Sequence, residues 1–151
     1  MAKTTVLFVC ADNSLLGQMA EAYLNARLGN FMRAFSAGLS PAEKINPSVD
    51  RLLRPLGIGT QGLQPKPVDV FLMPHSVIPD RIIYLSEMKP VSQPSIWKRT
   101  TSSHWWSIAP QPPFAEDLSA CDLYLKRIRS CIDSLVDRSS SIQPATDQNA
   151  A

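Results

Sequence analysis

The chain has 151 residues, of which 44% are hydrophobic, and this is enough for one globular domain with a substantial core. Its formal net charge of +2 is too small to indicate a nucleic-acid partner. No apolar run reaches the length of a membrane span, and no apolar signal segment precedes the first predicted strand. We therefore expect a cytoplasmic protein with no membrane partner.

The cysteines Cys10, Cys121 and Cys131 are too few and too far apart for a disulfide framework or a zinc site. We expect no metal and no cofactor.

The first predicted unit is a strand, a loop and a helix. Val6–Val9 is a short apolar run typical of a buried strand, and a helix begins at Gln18 after a loop of small or turn-forming residues. In this geometry the backbone N–H groups of the loop and of the first helical turn point into one concavity, which attracts anions. The sequence therefore predicts an anion-binding loop made of Ala11, Asp12, Asn13, Ser14, Leu15, Leu16 and Gly17.

Cys10 stands at the entrance of this predicted concavity. A thiol in the field of several N–H donors has a lowered pKa and forms a thiolate nucleophile more readily. A simpler interpretation is that Cys10 is a small apolar residue at the end of a buried strand. The types of residue in the loop are needed to choose between these two interpretations.

The rest of the chain predicts strands that alternate with helices. The further predicted strands are Phe31–Ala37, Arg81–Leu85 and His104–Ile108. The predicted helices are one from Gln18 to about Leu28, a second at Pro47–Leu56 capped by Asn46, at most one short helix around 68–73, and a last one at Phe114–Val136. This alternation predicts an α/β fold with a four-stranded parallel sheet and helices on both faces. We expect the domain to span residues 1–138 and residues 139–151 to form a disordered tail.

Other residues that can carry chemistry have structural interpretations. Cys121 and Cys131 fit small apolar positions of the last helix, and His75 and His104 lack a metal-ligand spacing. Three tryptophans are candidates for an aromatic contact with a protein partner near the rim of the predicted site, namely Trp97, Trp105 and Trp106. The alternative is that one tryptophan packs in the core and another covers an apolar part of the surface.

Two stretches resemble the low-molecular-weight protein tyrosine phosphatases and, more closely, the thioredoxin-coupled arsenate reductases. The first is Val6–Cys10 with Asn13-Ser14 and Gln18–Ala22, and the second runs from Phe35 through Asn46-Pro47 to Ile58. The resemblance implies the fold of that family, a Rossmann-like three-layer sandwich with a parallel sheet of four strands. It also implies that Cys10 occupies the position of the catalytic nucleophile.

The family's catalytic loop reads Cys, any residue, Gly, Asn, any residue, Cys, Arg, Ser, and its arginine clamps the oxyanion. Cys10 and Asn13 match this pattern. The other defined positions differ, since the glycine, the second cysteine, the arginine and the serine are replaced by Asp12, Leu15, Leu16 and Gly17. An arginine from elsewhere, such as Arg81 or Arg99, could take the place of the missing clamp.

The family's general acid is an aspartate before a proline in the loop after the fourth strand, preceded in the reductases by His-Trp. His104-Trp105 matches, and the acid position then falls at Ala109, or at Gln111 if the loop is shifted. Neither side chain can transfer a proton. The carboxylates Glu116 and Asp117 follow the prolines of this loop, and we expect them to stabilise the N-terminus of the last helix.

The reductases also need one or two further cysteines after the third strand for disulfide exchange. The nearest position here is Ser86, and no cysteine lies between Cys10 and Cys121. Loss of one oxyanion donor commonly lowers a rate by about 10²–10³-fold. We therefore expect an inactive or weakly active pseudophosphatase that acts as a binding or regulatory module for a protein partner and binds phosphate-like anions weakly. The alternative is an active Cys-dependent phosphatase or arsenate reductase-like enzyme with Cys10 as its nucleophile.

Overall fold

The structure, a computed structural model, describes the backbone of residues 3–141 and the side chains of residues 3–135. Its sheet contains four strands, β1 (Thr4–Cys10), β2 (Met32–Gly38), β3 (Arg81–Ser86) and β4 (Ser102–Ala109). All neighbouring strands pair in parallel, in the order β2-β1-β3-β4. The predicted four-stranded parallel sheet is confirmed.

The helices are α1 (Leu16–Leu28), α2 (Pro47–Leu53), α3 (Asp69–Leu72) and α4 (Leu118–Ser141). A 3₁₀ turn, Arg54–Leu56, continues α2. The Oδ1 atom of Asn46 accepts a hydrogen bond of 2.8 Å from the Ser48 backbone N–H, and this confirms the predicted cap. Within residues 3–141, no helix combines the length and the apolar composition that are needed to cross a membrane.

Alternate side chains of β1 enter two separate cores. Val6, Phe8 and Cys10 pack with apolar residues of α1, α2 and α4. Leu7 and Val9 pack on the other face, which is covered mainly by short elements that include Phe71 of α3. Because both faces of the sheet are buried, the run from Val6 to Cys10 is apolar without alternation, as in other parallel sheets.

The structure differs from two predictions in the segment between β3 and β4, and both differences concern Trp97. This segment contains a 3₁₀ turn, Ser95–Arg99, where an irregular connection was predicted. The Trp97 side chain is only 2% exposed and packs in the same core as Leu7 and Val9. It therefore covers the sheet, because burial of its large ring is favourable, and it is not available at the rim of the predicted site.

The last helix differs from the prediction at both ends. It begins at Leu118 instead of Phe114, and it continues to Ser141, past the predicted domain boundary at residue 138. Phe114 lies before the helix and packs edge-to-face against Tyr124, with ring centroids 5.4 Å apart. The remainder of the predicted tail, residues 142–151, lies outside the described residues.

Candidate functional site at the Cys10 loop

The segment from Cys10 to Gly17 ends β1, forms the connecting loop and begins α1, at the edge of the sheet where the strands end. Because α1 begins at Leu16 and not at the predicted Gln18, Leu16 and Gly17 belong to its first turn. We call this segment the Cys10 loop. Backbone hydrogen bonds fasten it to the segment that follows β2. The carbonyl oxygens of Cys10, Ala11, Asp12 and Ser14 accept hydrogen bonds of 3.3, 2.9, 2.9 and 2.7 Å from the N–H groups of Leu39, Ser40, Ala42 and Asn46. The loop is therefore held in one conformation, at the place where ligands bind in open parallel sheets.

Asn13 is the residue around which the loop turns. It is fully buried and has a positive φ of 55°, which asparagine tolerates better than most residues. Its Nδ2 donates to Ser36 Oγ at 3.0 Å, and its Oδ1 accepts from the Lys66 backbone N–H at 2.9 Å. Its carbonyl oxygen accepts from Gln18 Nε2 at 2.8 Å. The match of Asn13 to the family pattern thus has a structural reason.

Gly17 allows the first turn of α1 to come close to the thiol. A Cβ atom at this position would lie 2.8 Å from Asn13 Nδ2 and 3.3 Å from Cys10 Sγ. Leu15 and Leu16 precede it, and both are buried. The loop therefore brings the N-terminus of α1 against the sulfur, as predicted for an anion-binding concavity.

The Cys10 thiol nevertheless has a high pKa. The backbone N–H groups of Gly17 and Asn13 donate to the sulfur and lower its pKa, but burial of the side chain, which is 3% exposed, raises it more strongly. The carboxylate of Asp12 raises it further. The net result is a rise of the pKa from an ordinary value of 9.0 to about 11. Cys10 is accordingly a neutral thiol at physiological pH.

The Asp12 side chain accepts a hydrogen bond from a backbone N–H group of its own loop. Its Oδ1 accepts hydrogen bonds from the backbone N–H of Ser14 at 3.0 Å and from the Ser14 hydroxyl at 2.9 Å. The Asp12 carboxylate therefore engages one backbone donor of the predicted anion-binding loop and places a negative charge in that loop.

A small cavity of about 50 Å³ opens beside the thiol. Its walls include Cys10, Asp12, Leu15, Leu16, Phe114 and Glu116. Among the described residues that line it, none is a lysine or an arginine. The cavity thus combines apolar walls with two carboxylates, which is an unfavourable environment for an anion.

The loop after β4 reaches this cavity with Pro112, Pro113, Phe114 and Glu116. Ala109 is buried at the end of β4 and Gln111 is exposed, and neither lines the cavity. Glu116 lines it instead, and its Oε1 accepts a hydrogen bond of 3.0 Å from Asn46 Nδ2. Only Asp117 acts at the helix N-terminus as expected, since its Oδ2 accepts from the Ala120 N–H at 3.4 Å.

Sequence reasoning missed Glu116 because it placed the start of the last helix too early. An aspartate three residues before a backbone N–H that needs a partner is typical of a helix N-cap. An interpretation of Asp117 as the N-cap predicts that the helix begins at Leu118 and that Glu116 lies in the preceding loop.

The arginines considered as substitutes lie at the wrong edge of the sheet. Arg81 begins β3, and Arg99 precedes β4, so both are at the amino ends of their strands, whereas Cys10 ends β1. Lys66 contacts the loop through its backbone N–H, but its Nζ is 3.6 Å from Glu21 Oε1, which also accepts from Ser36 Oγ. Across residues 3–135, no three side chains of His, Cys, Asp or Glu are grouped to hold a metal ion.

Comparison with known proteins gives a family and several relatives. The family described as low molecular weight phosphotyrosine protein phosphatase matches residues 5–95. An arsenate reductase of Brevibacillus brevis is 43% identical over 56 residues, which are 37% of this chain and 41% of that protein. Arsenate reductase 1 of Staphylococcus epidermidis is 25% identical over 138 residues, which are 91% of this chain and 99% of that protein.

Among solved structures, an arsenate reductase in the phosphate binding state superposes with a TM-score of 0.72 at 21% identity, over 89% of this chain and 98% of that one. The likeness shows the shared fold. The family match covers more than half of the sequence and includes the strand–loop–helix unit described above. The chain belongs to the low molecular weight phosphotyrosine protein phosphatase family.

Proposed function

We propose that this chain is a member of the family that does not transfer phosphoryl groups at its Cys10 loop and that acts as a binding or regulatory module for a protein partner. The observation that carries the proposal is the Asp12 carboxylate, which accepts the Ser14 N–H beside a buried, protonated thiol. The fold remains that of the family, and the departures on which the proposal depends lie in the Cys10 loop and in the loop after β4.

Electrostatics supports this proposal. Phosphoryl transfer requires positive groups that stabilise charge on the transferred group, and donors aimed at developing charge are usually the largest catalytic term. Here Leu16 stands at the position of the clamping arginine, and Asp12 and Glu116 add negative charge to the same small cavity. A phosphate dianion would be repelled by both carboxylates.

The positions of the cysteines argue against a reductase that works by disulfide exchange. The resemblance places a second reactive cysteine near the end of β3, where this chain has Ser86. Cys121 is fully buried in α4, and its thiol donates to the Glu116 carbonyl oxygen at 3.4 Å. A hydroxyl cannot replace a thiol in the reduction of an arsenylated cysteine, because it forms no disulfide.

Binding of inorganic phosphate tests the proposal at Asp12. We expect the native protein to bind phosphate with a dissociation constant above the millimolar range in isothermal titration calorimetry. Asp12→Asn keeps an acceptor for the Ser14 N–H but removes the charge, and removal of one like charge at a few ångströms should strengthen phosphate binding by about fivefold. Glu43→Gln, which removes a carboxylate that does not line the cavity, serves as the control. Submillimolar binding to the native protein, unchanged by Asp12→Asn, would contradict the proposal.

One observation favours a second candidate, an active Cys-dependent phosphatase. Glu116 lies in the wall of the Cys10 cavity and has a carboxyl group that could protonate a leaving oxygen. In such an enzyme, Glu116→Gln should lower turnover by about 10²–10⁴-fold. The absence of a cation in the cavity lining of the described chain makes us prefer the non-catalytic module.

A further inference from the structure

A second and larger cavity lies at the ends of β3 and β4, and its walls share no residue with the Cys10 cavity. Its volume is about 500 Å³, which is within the range of small-molecule sites. The residues that matter for its chemistry are Ser86, Glu87, Trp105 and Arg127. It therefore has both the size and the polar groups of a ligand site, and nothing in the Cys10 chemistry uses it.

An irregularity in strand pairing lies beside this cavity. Tyr84 pairs with Trp105, and Ser86 pairs with Ala109, so one residue of β3 faces three residues of β4 between these pairs. The extra residues make β4 bulge away from β3. Bulges of this kind often re-aim side chains next to functional sites.

Trp105 is held as a fixed platform in the wall. One face of its indole ring stacks on Tyr84, with centroids 4.8 Å apart and an interplanar angle of 21°. Its Nε1 donates a hydrogen bond of 3.0 Å to the Met88 carbonyl oxygen. The side chain nevertheless remains 46% exposed. An orientated indole with so much exposed surface suits stacking with an aromatic ring.

Two donors in the wall favour an anion. Arg127 Nη1 donates to the Ile108 carbonyl oxygen at 2.8 Å, which fixes the guanidinium, and its other nitrogen atoms have no hydrogen bond to a described residue. The Ser86 hydroxyl is buried, with 2% of the residue exposed, and it has no hydrogen-bond partner among residues 3–135. A buried hydroxyl without a partner is unfavourable, so a small movement of the wall that opens its oxygen to the cavity would allow a ligand atom to satisfy it. Glu87, which is exposed, is the one carboxylate in this wall.

We propose that this cavity binds a small planar aromatic molecule that carries a carboxylate or a phosphate. Its ring stacks on Trp105, its anionic group pairs with Arg127, and the Ser86 hydroxyl donates a further hydrogen bond. This site is independent of the proposed loss of catalysis, because its residues lie outside the Cys10 cavity. A failure of one proposal therefore leaves the other intact.

The first test compares four probes by ligand-observed NMR and calorimetry on the native protein. Phenylacetate and phenyl phosphate carry both the ring and the charge. Cyclohexaneacetate keeps the charge without an aromatic ring, and benzyl alcohol keeps the ring without the charge. We expect saturable binding of at least one aromatic anion, and about tenfold weaker binding of both single-feature probes. No saturable binding of either aromatic anion would overturn the proposal.

Variants then locate the bound probe. Arg127→Gln and Trp105→Leu should each weaken binding by about tenfold, whereas Glu87→Gln should strengthen it by about two- to threefold, because it removes a like charge. Arg129→Gln is the matched control, since Arg129 lies on the same helix and contacts the Tyr23 ring at 5.6 Å. Thermal unfolding by circular dichroism checks that each variant folds. If Arg127→Gln and Arg129→Gln bind the probe equally well, the site is elsewhere and the proposal is wrong.

Discussion

The residues around the Cys10 sulfur act on its ionisation in opposite directions. The N–H groups of Asn13 and Gly17 favour the thiolate, as the strand–loop–helix geometry predicts. Burial and the Asp12 charge favour the thiol, and they dominate. The same loop that prepares a nucleophile in an open, cationic site thus holds a neutral thiol here. Reactivity depends on a few side chains and much less on the backbone that presents them.

The raised pKa predicts how stability depends on pH. The folded chain keeps its Cys10 proton up to a pKa of about 11, whereas the unfolded chain releases it near the ordinary value of 9.0. Stability from this group is therefore fully present below pH 9 and is lost as the pH rises through 11, by about 3 kcal/mol in all. Urea unfolding of the native protein and of Cys10→Ser between these pH values measures the difference.

The serine variant is the appropriate reference because it does not titrate in this range. Other buried groups with a raised pKa, Tyr84 and Cys121 among them, are present in both proteins and cancel in the comparison. Parallel loss of stability in the two proteins would show that the Cys10 pKa is not raised.

Gly17 supplies a second prediction at this scale. In Gly17→Ala the new Cβ would stand 2.8 Å from Asn13 Nδ2, so that the amide or the helix has to move. We expect a loss of about 1–3 kcal/mol in the free energy of unfolding, measured by urea denaturation. Gly59→Ala is the control, because nothing lies within 4 Å of its Cβ position, and it should be neutral or slightly stabilising. Equal effects of the two substitutions would refute the close approach.

Among the elements, α2 links the fold to the site through one residue. The Asn46 side chain caps α2 with its oxygen and holds Glu116 with its amide nitrogen. Asn46→Ala should lower the free energy of unfolding by about 1 kcal/mol, whereas Asn46→Ser keeps a capping oxygen and should lie within about 0.5 kcal/mol of the native protein. Chemical denaturation of the three proteins checks this order. An alanine variant as stable as the serine variant would mean that the cap contributes nothing.

The elements were predictable where a local pattern controls them. The apolar run of β1 and the Asn46-Pro47 start of α2 are signals that lie in consecutive residues, and the structure agrees with both. The 3₁₀ turn at Ser95–Arg99 was missed because Trp97 is drawn to a core made of distant residues. The bulge in β4 has no local signal either, since it depends on how Ser86 and Ala109 pair across strands.

At the scale of the whole molecule, the site depends on contacts that join distant parts of the chain. The sequence placed Cys10 and its loop correctly at the edge of the sheet, because the end of a strand and the start of a helix are local features. The sequence did not predict that Glu116 lines the Cys10 cavity. It also did not predict that Arg81 and Arg99 lie at the edge of the sheet opposite to Cys10. Those positions follow from the topology and from the path of the loop after β4.

Hydrolysis of p-nitrophenyl phosphate by the native protein and by Cys10→Ser, prepared identically, tests the proposed loss of catalysis most directly. We predict that the two proteins have the same rate, at the level of the buffer, because the thiol is protonated and the cavity has carboxylates where an anion would bind. Glu116→Gln should likewise be indistinguishable from both. A native rate that exceeds that of Cys10→Ser by orders of magnitude would contradict the proposal and establish Cys10 as a working nucleophile.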